Sequence, residues 1–552
     1  MTQYRRARVG LTHLYADATG LLVVVALALL AVTHISLTAR GDLLYFNGDS
    51  VLPEIFIRSL AAGEHFRWMM SPVLFFAPEL PVYAVVSTVT ASAKSAMFFS
   101  AIASLVLLYA VLRVLAKATF PALSTARQVV LALVPFVFVV ACTLTESSGL
   151  TGTLELVSLI LPGTYYYGSI LAMGATLAGA VLAIDPGTRS PRRSALVLSF
   201  LFVVSTVSTA SNPLYAMWVV APLAAVTLLL LLLHRVRWTN AALLVVAVGV
   251  GVGFGLALRI PLSRFMTHTA SSYFNYSQMG ASVSFYFESF RERMDSEAGR
   301  LELLMLTVAL IAIGASLVHA IKNRDVRGSL LLAFGILTVI STTIGAVVVG
   351  SVAPRYLMPM YFAPTFALVA ATAIALERFH AVEYIRQHAR KSTLAVTATV
   401  LAAVLLVVVI PTGRKAAAIV AEPYRPATCL SDWIDGRDIS GVGQFWAIRT
   451  LLAYGNDTID LKQVYQNLYV YPWLVNLASY EQAEITYVVS DATSQWPIAL
   501  DAMVGPAAAV IDCGSFIIFD YTDTEGANIL TDRLRESTED TLEMHGFTLD
   551  RK

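Results

Sequence analysis

Residues 40 to 56 read RGDLLYFNGDSVLPEIF and follow directly on the first long apolar run of the chain. They place Asp42, Asp49 and Glu54 among aromatic and aliphatic residues, and Arg58, Glu64, His65, Arg67 and Glu79 come soon after. Arg259 and Arg264 flank Pro261, and Arg355 and Tyr356 lie in APRYLMPMY. A carboxylate within hydrogen-bond reach of a hydroxyl can act as a general base. A guanidinium can hold a planar anion through paired charge-assisted bonds. Grouped where a chain leaves the membrane, these residues suit chemistry on a substrate whose polar part sits in water and whose apolar part stays in lipid.

The elements that must position them follow from composition. The chain has 552 residues, 57% hydrophobic and only 14% charged, whereas a soluble protein carries about 25% charged residues. That deficit marks an α-helical polytopic membrane protein. A net charge of +1 gives no reason to expect nucleic acid as a partner. Three cysteines, Cys142, Cys429 and Cys513, make neither a metal framework nor a disulfide scaffold. About eleven runs are long enough to cross a bilayer: near 20–39, 94–116, 128–145, 165–184, 194–211, 214–233, 240–258, 301–320, 328–350, 356–376 and 393–412. The first is too long for a removed signal peptide and reads as a retained helix.

Every second loop is basic, starting with Arg5, Arg6 and Arg8 and continuing through Lys117 and Arg127, Arg189, Arg192 and Arg193, Arg235 and Arg237, Lys322, Arg324 and Arg327, to Arg378, Arg386, Arg390 and Lys391. The alternate loops near 146–164 and 211–213 hold no Lys or Arg. The expected orientation is a cytoplasmic N-terminus and, after an odd number of spans, an extracytoplasmic C-terminus in a multi-pass protein of the plasma membrane.

Residues 1–412 are expected to form the transmembrane module, with long outer loops at 40–93 and 259–300. LPEIFIRSLAAGEHF has helical spacing with Ile55, Ile57, Leu60 and Ala61 on one side, as in a helix lying in the membrane interface. LFFAPELPVYAVV reads as a second such segment, broken by Pro78 and Pro81. From 413 to 552 charge and turn residues return. ITYVVSD and SFIIFDYTD read as strands, and NILTDRLRESTEDTLEMHGF as an amphipathic helix, giving a soluble α/β domain. For Cys429 and Cys513 a disulfide and two buried thiols stand as equal alternatives. No repeat is visible, and no Walker A, GxGxxG, HExxH or GxSxG motif occurs in a fitting context, which removes support for ATP-driven transport, nicotinamide chemistry and zinc proteolysis.

The first outer loop, GDSVLPEIFIRSLAAGEHF followed by LFFAPELPVY, resembles that of polyprenyl-phosphate-sugar-dependent glycosyltransferases of the GT-C fold, with protein O-mannosyltransferases and lipid A aminoarabinose transferases the nearest types. In these an acid just after the first span precedes a helix with an arginine, a Gly-acid pair and an aromatic-Pro segment. The matching positions are Asp49, Arg58, Gly63–Glu64 and FFAPELP. PRYLMPMY, residues 354–361, is similar to the Arg-Tyr-x-x-Pro start of a late span in the same enzymes. A soluble aromatic-rich domain after the last span also occurs among them. The resemblance implies a GT-C-like module, an inverting transfer from a polyprenyl-phosphate sugar to a cell-envelope acceptor, membrane lipids as surroundings, and Asp49 as base. Substrate contacts would fall to Asp42, Glu54, Arg58, Glu79, Arg259, Arg264, Arg355 and Tyr356. The family's loop often has two adjacent acids, whereas Asp49 is followed by Ser50, so a divalent cation is neither required nor excluded.

Each residue also has a plainer account. Asp49 could cap the helix that starts near Val51. Asp42, after the presumed terminator Gly41, fits a solvated acid. Glu79 fits an acid lying between prolines at the interface, against a role in orienting the acceptor. Arg355 could anchor its span at the headgroups. The aromatic clusters TYYYGS and YVYPWLVN fit an interfacial belt and a domain core. The alternative function is a non-enzymatic transporter or scaffold for lipid-linked glycans. It calls for a polar path through the membrane or internal symmetry, and the sequence displays neither.

Overall fold

The computed structural model describes residues 2–185, 190–268, 274–378, 391–480, 482–491 and 497–547, with side chains from residue 14 onward and, within the helix Lys391–Ala421, from 406. Arg5, Arg6, Arg8, Arg189, Arg386, Arg390 and Lys391, which support the expected orientation, lie outside the described side chains.

Among the described residues nine helices are long and apolar enough to span a bilayer: Leu14–Ser36, Ala93–Thr119, Thr125–Thr143, Tyr167–Ile184, Pro191–Ser211, Trp238–Phe265, Glu297–Lys322, Val326–Val348 and Pro354–Arg378. The shorter apolar helix Ala216–Leu232 and the helix Lys391–Ala421 account for the remaining two expected runs. Apolar runs of this length become helices because lipid offers backbone groups no other partner. Their starts are locally encoded. Ser296 Oγ accepts from Gly299 N at 2.9 Å and Asp325 Oδ1 from Gly328 N at 3.0 Å, each relieving one orphan donor of a first turn.

The chain divides into two compact units. The first comprises Met1–Gly41, Phe99–Leu258 and Ser271–Ile419. Its most enclosed span is Pro354–Arg378, 89% buried, against 28% for Glu297–Lys322, so the core of this unit lies along Tyr361, Phe362, Phe366 and Ala370. The helix Pro359–Arg378 packs on Val326–Val348, Thr125–Thr143 and Glu297–Lys322. Gly335 allows the close approach: a Cβ there would stand 2.5 Å from that of Ala367.

The second unit comprises Asp42–Phe98, Arg259–Ala270 and Val420–Lys552. Its strands are β1 (Trp68–Met69), β2 (Ser440–Gln444), β3 (Asp460–Val464), β4 (Val475–Asn476), β5 (Ile485–Asp491), β6 (Ala509–Asp512) and β7 (Phe516–Asp520). Five form a mixed sheet ordered β3-β2-β5-β7-β6, with β2 parallel to β3 and β5, and β7 antiparallel to β5 and β6. Alternation along β5 sends Val488 to one face and Tyr487 and Val489 to the other. Leu530, Leu534 and Leu542 of the helix Glu525–Met544 cover the first face. The helices Arg425–Ile434 and Phe445–Tyr454 cover the second through Leu430, Ile434, Ile448 and Leu451. Cys429 and Cys513 form a disulfide. β1, from the first loop, pairs antiparallel with β4, Trp68 opposite Asn476 and Met69 opposite Val475.

Candidate active site

Gly41 does not terminate the first span. The long helix ends at Ser36, and Gly41 opens a short helix, Gly41–Tyr45, with Asp42 in its first turn and exposed. A tight turn follows. Asn47 Oδ1 accepts from the Asp49 N–H at 3.0 Å, and the Ser50 hydroxyl donates to the Leu43 carbonyl at 2.6 Å. Asp49 is half-buried in this turn. The next helix, Leu52–Ala61, has Val51 at its N-cap position with no cap from that side chain. Trp473 Nε1 stands 3.5 Å from Asp49 Oδ1, the outer limit of a hydrogen bond.

Glu54 and Arg58 meet each other, Arg58 Nε lying 3.1 Å from Glu54 Oε1 at i,i+4 spacing. Glu54 also accepts from the Tyr83 hydroxyl at 2.6 Å. The Arg58 guanidinium donates to the carbonyls of Leu452 (2.9 Å), Ala453 (3.2 Å) and Gly455 (3.3 Å). These belong to the end of the helix Phe445–Tyr454, where carbonyls lack intrahelical donors and a cation is favoured by the dipole. Glu79 is buried in the first turn of Glu79–Ser87, the end where a carboxylate suits the dipole. Glu64 accepts from Ser59 and Asn476. Arg259 donates to the Pro72 carbonyl at 2.6 Å, and Arg264 is exposed with its guanidinium 4.6 Å from the Phe265 ring.

In the first unit Arg355 and Tyr356 sit in the turn Pro354–Leu357, both half-buried. The guanidinium lies 5.6 Å from the Tyr356 ring, which stacks on Tyr166 at 6.3 Å. The Tyr286 hydroxyl donates to the Ala353 carbonyl at 3.3 Å. An apolar groove of about 710 Å³ starts beside this turn, lined by Tyr286, Phe287, Phe290, Leu303, Leu357 and Met360 among others.

The same unit holds a buried ionic cluster that sequence reasoning missed. Arg293 donates to Glu155 at 2.8 Å, to Glu302, and to the Thr145 carbonyl at 3.1 Å. Arg40 donates to the Ser158 hydroxyl at 2.8 Å and to the carbonyls of Ser148, Leu150 and Glu155. Glu155 accepts the N–H groups of Ser147 and Ser148, and Glu146 those of Val157 and Ser158, at 2.7 to 2.9 Å. Burial and the nearby Glu302 carboxylate push the Glu146 carboxyl up to about 7. The signal in the sequence was Glu302, a carboxylate inside an apolar run.

A second missed residue is Arg449, fully buried in the second unit. It stands on the stripe formed by Phe445, Ile448 and Leu451, where a charged residue breaks an apolar face. Burial lowers the guanidinium to about 10, a shift opposed by Asp49. Among the described residues no group of three or more His, Cys, Asp or Glu could hold a metal ion.

No family model matches the chain, and no curated protein matches it. Among solved structures, it is similar to ArnT from Cupriavidus metallidurans bound to undecaprenyl phosphate, at 14% identity and a TM-score of 0.51, over 92% of this chain and 99% of that one. The apo structure of the same ArnT gives 15% identity, 93% and 99% coverage, and a TM-score of 0.47. The likeness to the first is one of fold: the chain is a multi-pass membrane protein of the ArnT-like GT-C fold with a small C-terminal sheet region.

Proposed function

We propose that the protein is an integral membrane glycosyltransferase that moves a sugar from a polyprenyl-phosphate donor to a hydroxyl of a cell-envelope acceptor outside the cytoplasmic membrane. The observation that carries this reading is the extent of the shared fold, nearly the full length of both chains, with a protein whose structure holds undecaprenyl phosphate. The residues supply fitting chemistry. Asp49 takes the proton from the acceptor hydroxyl as its oxygen bonds to the anomeric carbon. The bond from that carbon to the phosphate oxygen breaks through an oxocarbenium-like state, as in inverting glycosidases, and polyprenyl phosphate leaves as the anion. Arg355, with Tyr356 beside it, is the proposed contact for the donor phosphate, and the apolar groove next to that turn suits the isoprenoid chain. Arg259 and Arg264 are further candidate cations; Asp42 and Glu79 are candidate acceptor contacts. Glu54 and Arg58 would support Asp49 through the helix that follows it. The Cys429–Cys513 disulfide supports an oxidising compartment for the C-terminal domain, in line with an extracytoplasmic C-terminus.

The test is release and transfer of labelled sugar by the purified protein from a panel of undecaprenyl-phosphate-linked sugars. Turnover of at least one donor is expected. Binding of every donor with no turnover would favour a carrier instead. A phosphatase reporter fused after Lys552 should be active; an inserted but inactive fusion would reverse the orientation.

A further inference from the structure

Arg449 has no solvent exposure, yet it lies in the soluble part of the chain, where an arginine normally keeps its head in water. Burying it requires a purpose that its contacts reveal. Nε donates to the Gly48 carbonyl at 3.4 Å, and Nη1 to the Leu474 carbonyl at 2.7 Å. Gly48 precedes Asp49. Leu474 follows Trp473, whose indole N–H points at the Asp49 carboxylate. One guanidinium therefore ties together the backbone that carries the acid and the backbone that carries the acid's neighbour. Phe445, one turn earlier on the same helix, closes the arrangement. Its ring lies 5.5 Å from the guanidinium carbon and so close to Gly48 that a Cβ there would stand 2.6 Å from it. Leu474 holds a left-handed backbone, φ 55°, a conformation costly for a non-glycine residue and the one that presents its carbonyl to Arg449.

We propose that Arg449 is the positioning residue for Asp49: it fixes the turn 47–50 and the Trp473 segment in one geometry and sets a permanent positive charge beside the acid. This rests on Asp49 being the base. A lysine on the helix could supply the charge but not both bonds, because a single ammonium cannot reproduce the fork. Among the described residues, other titratable groups near this arrangement are Tyr480, whose hydroxyl burial pushes up, Tyr471, 5.7 Å from the Phe445 ring, and His268, 6.0 Å from the Trp473 ring. Arg449 stays cationic at neutral pH with its guanidinium at about 10.

The experiment uses the full chain in detergent and has two readouts. One is turnover of the donor panel above. The other is carbodiimide labelling of Asp49 against pH, followed by peptide mass spectrometry, which reports protonation of the carboxyl with no substrate present. Arg449→Met, which keeps much of the side-chain volume but removes the charge and both bonds, should lower turnover by about 10²-fold and move the labelling midpoint up by about one pH unit. Arg449→Lys should lower turnover while leaving the midpoint near that of the wild type. A folded Arg449→Met with unchanged midpoint and turnover overturns the proposal. Should that variant not fold, wild-type turnover by Arg449→Lys overturns it. Asp49→Asn separates the two ideas: if it turns over normally the base assignment fails, whatever the labelling of Asp49 in the Arg449 variants.

Discussion

Two groups of charges in this molecule receive opposite treatment. Glu146, Glu155, Glu302, Arg40 and Arg293 of the first unit are buried and bonded to one another and to the backbone of residues 145–158. That stretch is largely irregular, Glu146 and residues 154–158 within it are buried, and the buried N–H and C=O groups must find partners away from water. The cluster supplies them, so its charges serve folding. Asp42 and Asp49, two of the first-loop acids of the second unit, are more solvated. Asp42 is exposed and Asp49 half-buried in the turn before the helix Leu52–Ala61. A carboxylate that water and a substrate can reach, on a backbone fixed by its neighbours, is suited to reaction. The count of charged residues does not distinguish the two groups; their solvation does, and it is on solvation that the proposed reactive role of Asp49 stands apart.

The sharpest break in this comparison is Asp49→Asn. It keeps shape and removes the proposed base, so turnover should fall by about 10²–10⁴-fold with thermal stability near that of the wild type. Asp42→Asn should fall far less. Loss of activity in Asp42→Asn with Asp49→Asn intact would exchange their roles.

The mirror experiment is Glu302→Ala. It takes one of two carboxylate partners from buried Arg293 and leaves Glu155 as the other; full loss of a partner in a buried pair costs about 3–5 kcal/mol, so a cost up to that range is expected. Thermal unfolding in detergent should show the loss. The double variant Arg293→Met with Glu302→Leu should recover much of it, since apolar replacements of a buried pair are often tolerated. A stable, inactive Glu302→Ala protein would move the cluster from folding to function.

Arg355 probes a site of intermediate solvation. Arg355→Ala should weaken donor binding by about 1.5–3 kcal/mol, the contribution of a charge-assisted bond, while stability changes little. Lysine should rescue only in part. Unchanged donor affinity in the alanine variant would reduce Arg355 to a headgroup anchor.

Much of the fold was legible in the sequence because lipid and periodicity impose it. The eleven apolar runs are helices, ITYVVSD is β5, and the tail from Glu525 is an amphipathic helix. What was hidden depends on contacts that leave no periodic trace. The pairing of β1 with β4, the Arg58 guanidinium on the carbonyls of Leu452, Ala453 and Gly455, and Arg449 at the Asp49 turn all join segments remote in sequence. The Arg293–Glu302 pair is hidden in the same way, because Glu302 stands close to the start of its helix and Arg293 lies on the preceding one. Asp49 stood out as an acid in an apolar setting, but the absence of a cap at Val51 needed coordinates.

The smallest expected effect concerns Glu146, where the two kinds of treatment meet. Its two oxygens accept N–H groups from Val157 and Ser158 at 2.7 Å each, which favours the carboxylate. Burial, first, and the Glu302 charge, second, favour the neutral acid and prevail, placing the carboxyl at about 7 against an ordinary 4.5. Between those two values the folded protein holds a proton that the unfolded chain has released. Stability from this group therefore falls as pH rises through the window and returns as pH drops from 8 toward 6, by at most about 1.4 kcal/mol per pH unit. Glu146→Gln carries no titrating group and should lack this component. The difference in unfolding temperature between wild type and Glu146→Gln should then vary with pH, the wild type gaining on acidification. Parallel curves would mean that the backbone donors of Val157 and Ser158 hold Glu146 ionised throughout.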